Sequence, residues 1–339
     1  HYPSTFLRSV LPIPCHSHND EWRHTPLHAA LGTGCISIEA DIFASSDPKS
    51  DELYIAHDRT ALTPEHTLRR MYIEPLISIL EMMNSPNPDA KKHLPKEMYE
   101  LNPSERKNGV FALAPSTSLI LMIDFKSPPS NVFPVLMNGI QPLIERDYLT
   151  RWDPSTQTRV EGPITLVATG KADFDTVLRA GRNSTPTDAL NVERFVFFDA
   201  PLDSLIQPGD PDSPAPGPIN IDLSRTQEKQ EMHDHEVSER NATGVYRYKY
   251  NPSNSHTAST SFSHAVGAVS PFLSSPDSLQ RRVIRDQIKT ARDRGLISRY
   301  WGTPSWPRGL RDGVWESLEK EGVGLLSVDD LRAARKGGW

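Results

Sequence analysis

Short apolar, β-branched runs alternate with segments of helical period along most of the chain, and that alternation restricts the fold to parallel β/α architectures. The candidate strands cover residues 10–15, 35–41, 53–57, 119–125, 163–168, 194–199, 296–301 and 323–328. Eight strands with helices between them predict a (β/α)8 barrel of TIM type, and a doubly wound open sheet is the alternative arrangement. Thr63-Pro64-Glu65 reads as an N-cap followed by proline at the first helical position, opening a helix through Leu76, Ile79 and Leu80. Val132, Val135, Leu136, Leu143 and Ile144 share a helical face, as do Leu279, Val283, Ile284 and Ile288 before Gly295, and Val314, Trp315 and Leu318 before Gly322.

Two stretches break the alternation. Residues 84–117 and 201–260 are rich in Pro, Ser, Asp and Asn and hold no sustained period, as expected of lids, binding loops or disorder. The 339 residues therefore read as one decorated barrel domain with a core from about residue 10 to residue 332, since such barrels routinely exceed about 250 residues. Thirty prolines fit long loops.

Thirty-seven Lys and Arg against 43 Asp and Glu leave a net charge of −6, which argues against coating nucleic acid or an anionic membrane by bulk charge. No apolar run approaches the roughly 20 residues of a membrane helix. Cys15 and Cys35 are the two cysteines, too few for a disulfide scaffold or a thiolate zinc module; two buried thiols and one disulfide both stay open. The sequons Asn183-Ser184-Thr185 and Asn241-Ala242-Thr243, with a start at His1 instead of Met, point to secretion.

In such barrels catalytic groups collect where strands end. The first run ends in His16-Ser17-His18-Asn19-Asp20, the second in Glu39-Ala40-Asp41, the third in His57-Asp58 and the fourth in Asp124-Phe125-Lys126. Residues two apart in a strand share a face, so His16 with His18, Glu39 with Asp41, and Asp124 with Lys126 can point together into one mouth. Three carboxylates without a thiolate suit one hard divalent ion, Mg²⁺ or Ca²⁺, able to clamp a phosphoryl oxygen. Lys126 adds a point charge for phosphate, and imidazoles titrating near neutrality can act as base and acid about phosphorus. A lone His or Asp at a strand end is usually a cap; four consecutive strand ends of this kind describe a metal-assisted phosphodiesterase.

His-Ser-His-Asn-Asp, Glu-Ala-Asp ahead of His57-Asp58, and Asp124-Phe125-Lys126 resemble the phosphatidylinositol phospholipase C-like phosphodiesterase superfamily, which includes glycerophosphodiester phosphodiesterases and sphingomyelinase D-like phospholipases. The nearest likeness is to the fungal altered inheritance of mitochondria protein 6 family, whose pattern is also met by Leu62-Thr63-Pro64-Glu65, by Arg299-Tyr300-Trp301-Gly302-Thr303-Pro304 and by Val328-Asp329-Asp330-Leu331. The resemblance implies that Glu39, Asp41 and Asp124 hold the metal, that His57 is the second catalytic histidine and that Lys126 binds phosphate. Either His16 or His18 fills the first catalytic position, with His16 preferred and His18 beside the metal or phosphate. Asn19 and Trp301 complete the substrate-binding candidates, although a strand-end Trp301 is equally a core aromatic. Where glycerophosphodiester enzymes carry Arg-Gly, this chain has Asn19-Asp20, and where close relatives carry an aromatic it has Glu21 before Trp22.

The expected activity is that of a phosphoric diester hydrolase, or of a lyase releasing a cyclic phosphate, acting on a phospholipid, a glycerophosphodiester or a related headgroup. Contact with membranes is at most peripheral, nucleic acid is no partner, and a monomer is expected. A glycoside hydrolase using Glu39 and Asp124 leaves the histidines and Lys126 without a role, and a non-catalytic binding barrel is the other alternative. His233-Asp234-His235-Glu236 resembles a metal tract but reads as a solvated charged loop, Lys171 reads as a surface lysine with phosphate contact as the alternative, and Tyr246, Tyr248 and Tyr250 form one face of a strand or extended lid, with edge packing and lipid contact both open.

Overall fold

In the computed structural model, which describes residues 6–47, 50–85, 106–179, 193–205, 249–270 and 273–337, eight parallel strands close into a barrel. The strands of the chain are β1 (Ile13–Ser17), β2 (Cys35–Ala44), β3 (Leu53–Ile55), β4 (Leu119–Phe125), β5 (Arg151–Asp153), β6 (Thr158–Val160), β7 (Ile164–Gly170), β8 (Val196–Pro201), β9 (Ser255–Ser261), β10 (Ile297–Trp301) and β11 (Leu325–Val328). The barrel runs β1-β2-β4-β7-β8-β9-β10-β11 and closes where β11 pairs with β1. β5 and β6 form a separate antiparallel hairpin, tied at Trp152 to Arg194 near the start of β8. The helices α1 (Pro26–Thr33), α2 (Glu74–Met83), α3 (Pro129–Gly139), α4 (Gln141–Glu145), α5 (Phe174–Arg179), α6 (Phe262–Ala265), α7 (Leu279–Asp293), α8 (Arg308–Lys320) and α9 (Leu331–Ala334) lie between the strands in sequence or follow the last.

The expected eight-stranded barrel is therefore present, with two corrections to its staves. The run at 53–57 is no stave: β3 pairs antiparallel with the end of β2, Ile55 opposite Ile42 and Leu53 opposite Ala44. Only eight residues separate β2 from β3, too few for the crossover of a dozen or more that a parallel neighbour demands. The missing stave is β9, inside a stretch read as loop. Its sequence Ser-His-Thr-Ala-Ser-Thr-Ser has no apolar alternation because its hydroxyls serve a polar network within the barrel.

The helix expected to open at Thr63 begins later. Residues 64–65 form a turn, a π-helical turn spans Arg69–Ile73, and the Thr67 hydroxyl accepts from the Arg70 amide at 3.3 Å. The α8 face packs as expected, with Val314, Trp315 and Leu318 buried, but the α7 face does so only in part: Ile284 and Ile288 are buried with Ala291, Val283 is half-buried, and Leu279 at the first turn is exposed to solvent. Ser278 caps α7 by accepting from the Arg281 amide at 3.2 Å. Part of the first irregular stretch also packs, since Val110, Phe111 and Ala112 are buried.

Ile120, Met122, Val167 and Leu325, with Ile36 and Ile297 against them, fill a layer of the barrel interior. Each lies earlier in its strand than the polar residue that follows on the same wall, so the barrel is apolar below and polar at its C-terminal mouth. Cys15 of β1 and Cys35 of β2 are joined as a disulfide with Cα atoms 4.7 Å apart, both side chains fully buried. Closing this loop of 20-residue separation restricts the unfolded chain by about 3 kcal/mol in the chain-entropy account. Such a bond hints at an oxidising, secretory compartment. Among the described residues, no helix is long and apolar enough to cross a membrane.

Candidate active site

Glu39 and Asp41 on β2 and Asp124 on β4 offer carboxylate oxygens that all lie within 4.8 Å of one another. Strand alternation puts Glu39 and Asp41 on one face, and the parallel register sets Asp41 directly beside Asp124. Lys126 Nζ donates to Asp124 Oδ2 at 2.7 Å and stands 3.1 Å from Asp41 Oδ2. Burial, then the charges of Glu39 and Asp124, push the Asp41 carboxyl up to about 8. Its Oδ1 is buried without a hydrogen-bond partner. Burial opposes the charge on Lys126, but Asp124 and Asp41 overcome it and raise its pKa.

Gly170 at the end of β7 makes room for this cluster. It adopts φ +69°, and a Cβ there would clash with Asp124 Oδ1. Gly170→Ala is therefore expected to push the Asp124 carboxylate aside and weaken divalent-cation affinity by about 10- to 100-fold, the effect of losing a supporting contact to a ligand. Calorimetric titration with Ca²⁺ checks this, and circular dichroism should show a folded barrel.

The imidazoles surround the carboxylates at different depths. His16 on β1 is fully buried, its Nδ1 2.7 Å from Ser37 Oγ and its Nε2 4.0 Å from Glu39 Oε1 without a hydrogen-bond partner. Burial, with the charge of Arg299 second, holds its pKa well below the ordinary imidazole value, so the ring is neutral. His18, one-quarter exposed, donates from Nδ1 to Asp329 Oδ1 at 2.9 Å and presents Nε2 3.6 Å from Glu39 Oε2. Burial opposes its charge, yet the Asp329 hydrogen bond and Glu39 raise its pKa overall.

Asn19 holds this corner. In the left-handed conformation that asparagine tolerates, at φ 51°, it donates from its amide to Glu39 Oε2 at 3.2 Å and from Nδ2 to Asp329 Oδ1 at 2.9 Å. His57 arrives by the antiparallel hairpin: the Ala56 amide donates to the Asp41 carbonyl at 3.2 Å, and His57 Nδ1 stands 3.4 Å from Asp41 Oδ2 and 3.3 Å from Glu21 Oε1.

The β8-β9-β10 wall carries residues that the strand-end reading passed over. Asp199 accepts from Thr169 at 3.0 Å, Thr257 at 2.6 Å and Ser259 at 2.8 Å, and Arg299 Nη2 stands 3.7 Å from it. Asp199 ends the sixth predicted strand and was open to the rule that found Asp124. Arg299 sits inside an apolar run, where a charge two residues before Trp301 on the same face was the signal. Trp301 is 43% exposed, at the mouth and outside the core. Lys171 donates to the Lys126 carbonyl at 3.1 Å, on the same rim. Tyr250 stacks on Phe198, whereas Tyr246, Tyr248, His233, His235, Asn183 and Asn241 lie outside the described residues.

A family model described as an AIM6-like phosphodiesterase domain matches residues 4–199, a span containing the three carboxylates, Lys126 and the three histidines. An altered inheritance of mitochondria protein 6 homolog from Arthroderma benhamiae is 33% identical over 341 residues, covering 98% of this chain and 86% of that protein. Altered inheritance of mitochondria protein 6 from Eremothecium gossypii is 29% identical over 95% of this chain and 68% of its own length. The protein of that name from Saccharomyces cerevisiae strain YJM789 is 29% identical over 96% and 70% respectively. No solved structure matches the chain.

Proposed function

The chain belongs to the AIM6-like phosphodiesterase family, and from that premise we propose that it is a metal-dependent phosphodiesterase working at the C-terminal mouth of its barrel. The observation that carries this reading is the meeting of three crowded carboxylates with one lysine and two accessible imidazoles. The residues fit a hard cation: the donors are all oxygen, they repel one another, and Asp41 Oδ1 is buried with no partner of its own. Glu39, Asp41 and Asp124 would hold one Mg²⁺ or Ca²⁺, which supplies Lewis-acid stabilisation to a phosphoryl oxygen.

Lys126 gives the phosphate a further positive contact from beside the same carboxylates. For the first histidine, exposure and partner favour His18 over His16. Asp329 takes the Nδ1 proton and leaves the Nε2 lone pair to accept a proton from a substrate hydroxyl, the division of labour of an Asp-His pair. Ser37 and burial instead give His16 a supporting place behind Glu39. His57, nearly half exposed, is held at Nδ1 by Glu21 and Asp41 and delivers a proton from Nε2 to the leaving oxygen. Attack by the neighbouring hydroxyl forms one P–O bond, breaks the bond to the leaving group and yields a cyclic phosphodiester, which is released or hydrolysed.

The substrate class is a small phosphodiester or a phospholipid headgroup. The net charge of −6 speaks against nucleic acid, and exposed Trp22 and Trp301 at the mouth suit an apolar arm outside the barrel. The Cys15–Cys35 bond and the two sequons support secretion. A glycosidase using Glu39 and Asp124 is disfavoured, because it leaves without a role the Lys126, His18 and His57 that stand beside these carboxylates and Asp41.

A substrate and its deoxy analogue test the mechanism. Removing the neighbouring hydroxyl is expected to abolish cleavage through kcat/KM, with a cyclic phosphate seen early by phosphorus NMR for the parent substrate. Equal cleavage of both, with solvent ¹⁸O in a linear product, would replace the hydroxyl with water as nucleophile.

A further inference from the structure

Arg299 stands on the wall of the mouth opposite Lys126. β10 and β4 are four strands apart in either direction around the barrel, so their two cations lie across the opening from each other with β1 and its histidines midway. Arg299 is 3% exposed. Its Nε donates to Ser259 Oγ at 3.0 Å and its Nη2 faces Asp199, while Nη1 has no hydrogen-bond partner. Asp199 is already taken up by three hydroxyls, from Thr169, Thr257 and Ser259. What this network leaves over is one guanidinium N–H, and buried donors are rarely left unpaired in folded proteins. The charge of Arg299 also acts on both His16 and His18, in keeping with its place on the inner face of β10, two strands from β1.

We propose that Arg299 is a substrate-binding residue whose Nη1 donates to an oxygen on the polar arm of the phosphodiester, so that the barrel selects headgroups presenting a hydroxyl or anionic oxygen over those ending in a quaternary ammonium. The inference rests on the phosphodiesterase reading of the mouth. With phosphorus beside the carboxylates and Lys126, an arm directed across the opening ends at the β10 wall. A quaternary ammonium there offers Nη1 no acceptor and leaves it unpaired.

Glycerophosphoglycerol and glycerophosphocholine differ in one arm and provide the test, with bis(p-nitrophenyl) phosphate reporting the chemistry itself. Wild type with Mg²⁺ or Ca²⁺ is expected to favour the glycerol arm by about tenfold or more in kcat/KM, the worth of one hydrogen bond to a charged donor. Arg299→Lys keeps a positive charge for Asp199 but lacks the second nitrogen, and it is expected to erase the preference, chiefly through KM. Thermal unfolding verifies that the variant folds, and the wild-type comparison stands without it. Absence of the preference in wild type, or its persistence in Arg299→Lys, overturns the inference. Turnover of bis(p-nitrophenyl) phosphate without discrimination between the two diesters removes this inference alone; no turnover of any of the three removes the phosphodiesterase reading beneath it.

Discussion

Asp41→Asn is expected to abolish divalent-cation binding and to lower phosphodiesterase turnover by roughly a thousandfold or more, the several kcal/mol that metal stabilisation of phosphoryl charge supplies. Asp41 has this weight because everything in the mouth meets on it. Among the described residues it belongs to both groups that bring three ligand atoms within 4.8 Å, with Glu39 and Asp124 and with Glu21 and His57, and its Oδ2 also faces Lys126 at 3.1 Å. The variant should nevertheless fold. Below about pH 8 the Asp41 carboxyl is already largely protonated, so without metal the variant is expected to melt close to the wild-type temperature there, and above it at higher pH, where the substitution removes one charge from three crowded carboxylates.

The pH dependence has a definite sign. The Asp41 carboxyl titrates at about 8 in the folded protein against an ordinary 3.8, so the folded state binds more protons over that window. Metal-free wild type therefore loses stability as the pH rises from about 4 to about 8, and Asp41→Asn flattens that slope. Calorimetry of binding and thermal unfolding across pH check both parts. Wild-type metal affinity in Asp41→Asn would remove Asp41 from the ligand set.

His57→Ala and His18→Ala should each lower kcat by about 10² to 10⁴, the usual contribution of a positioned acid or base. His18 has its Nδ1 fixed by Asp329 and its ring open to the mouth, and His57 reaches the carboxylates from an exposed hairpin. His16→Ala is expected to fall less in kcat, since its ring is sealed behind Glu39 and bound to Ser37. Steady-state kinetics on bis(p-nitrophenyl) phosphate decide this. A His16→Ala variant as inactive as His57→Ala, beside an active His18→Ala, would exchange the roles of the two β1 histidines.

The barrel and its acidic centre were legible because their signals are local. Apolar runs that meet a carboxylate mark a buried strand reaching a polar mouth: Asp124 stands at the end of β4, and Glu39 and Asp41 stand where β2 passes the mouth, before Ile42–Ala44 leave to pair with β3. β9 was illegible for the opposite reason: Thr257 and Ser259 face Asp199 inside the barrel, so the strand has hydroxyls where periodicity needs apolar groups. β3 read correctly as a strand and wrongly as a stave, since pairing partners are set by loop length and not by composition. His57 nevertheless reaches Asp41, because the ten-residue β2 runs on to pair with β3, which folds back beside it. The proposal of His18 over His16 draws on depth and partners that sequence does not carry, Ser37 for one and Asp329 for the other, the latter 311 residues from His18 in sequence.

Hydrolysis of bis(p-nitrophenyl) phosphate by the wild-type chain, after exhaustive chelation and again after adding back Mg²⁺, Ca²⁺ or Zn²⁺, tests the central claim most directly. The oxygen donors Glu39, Asp41 and Asp124 predict no turnover in chelator and best recovery with Mg²⁺ or Ca²⁺. Full turnover in excess chelator, or no turnover with any of the three ions, would contradict a metal-dependent phosphodiesterase at this mouth.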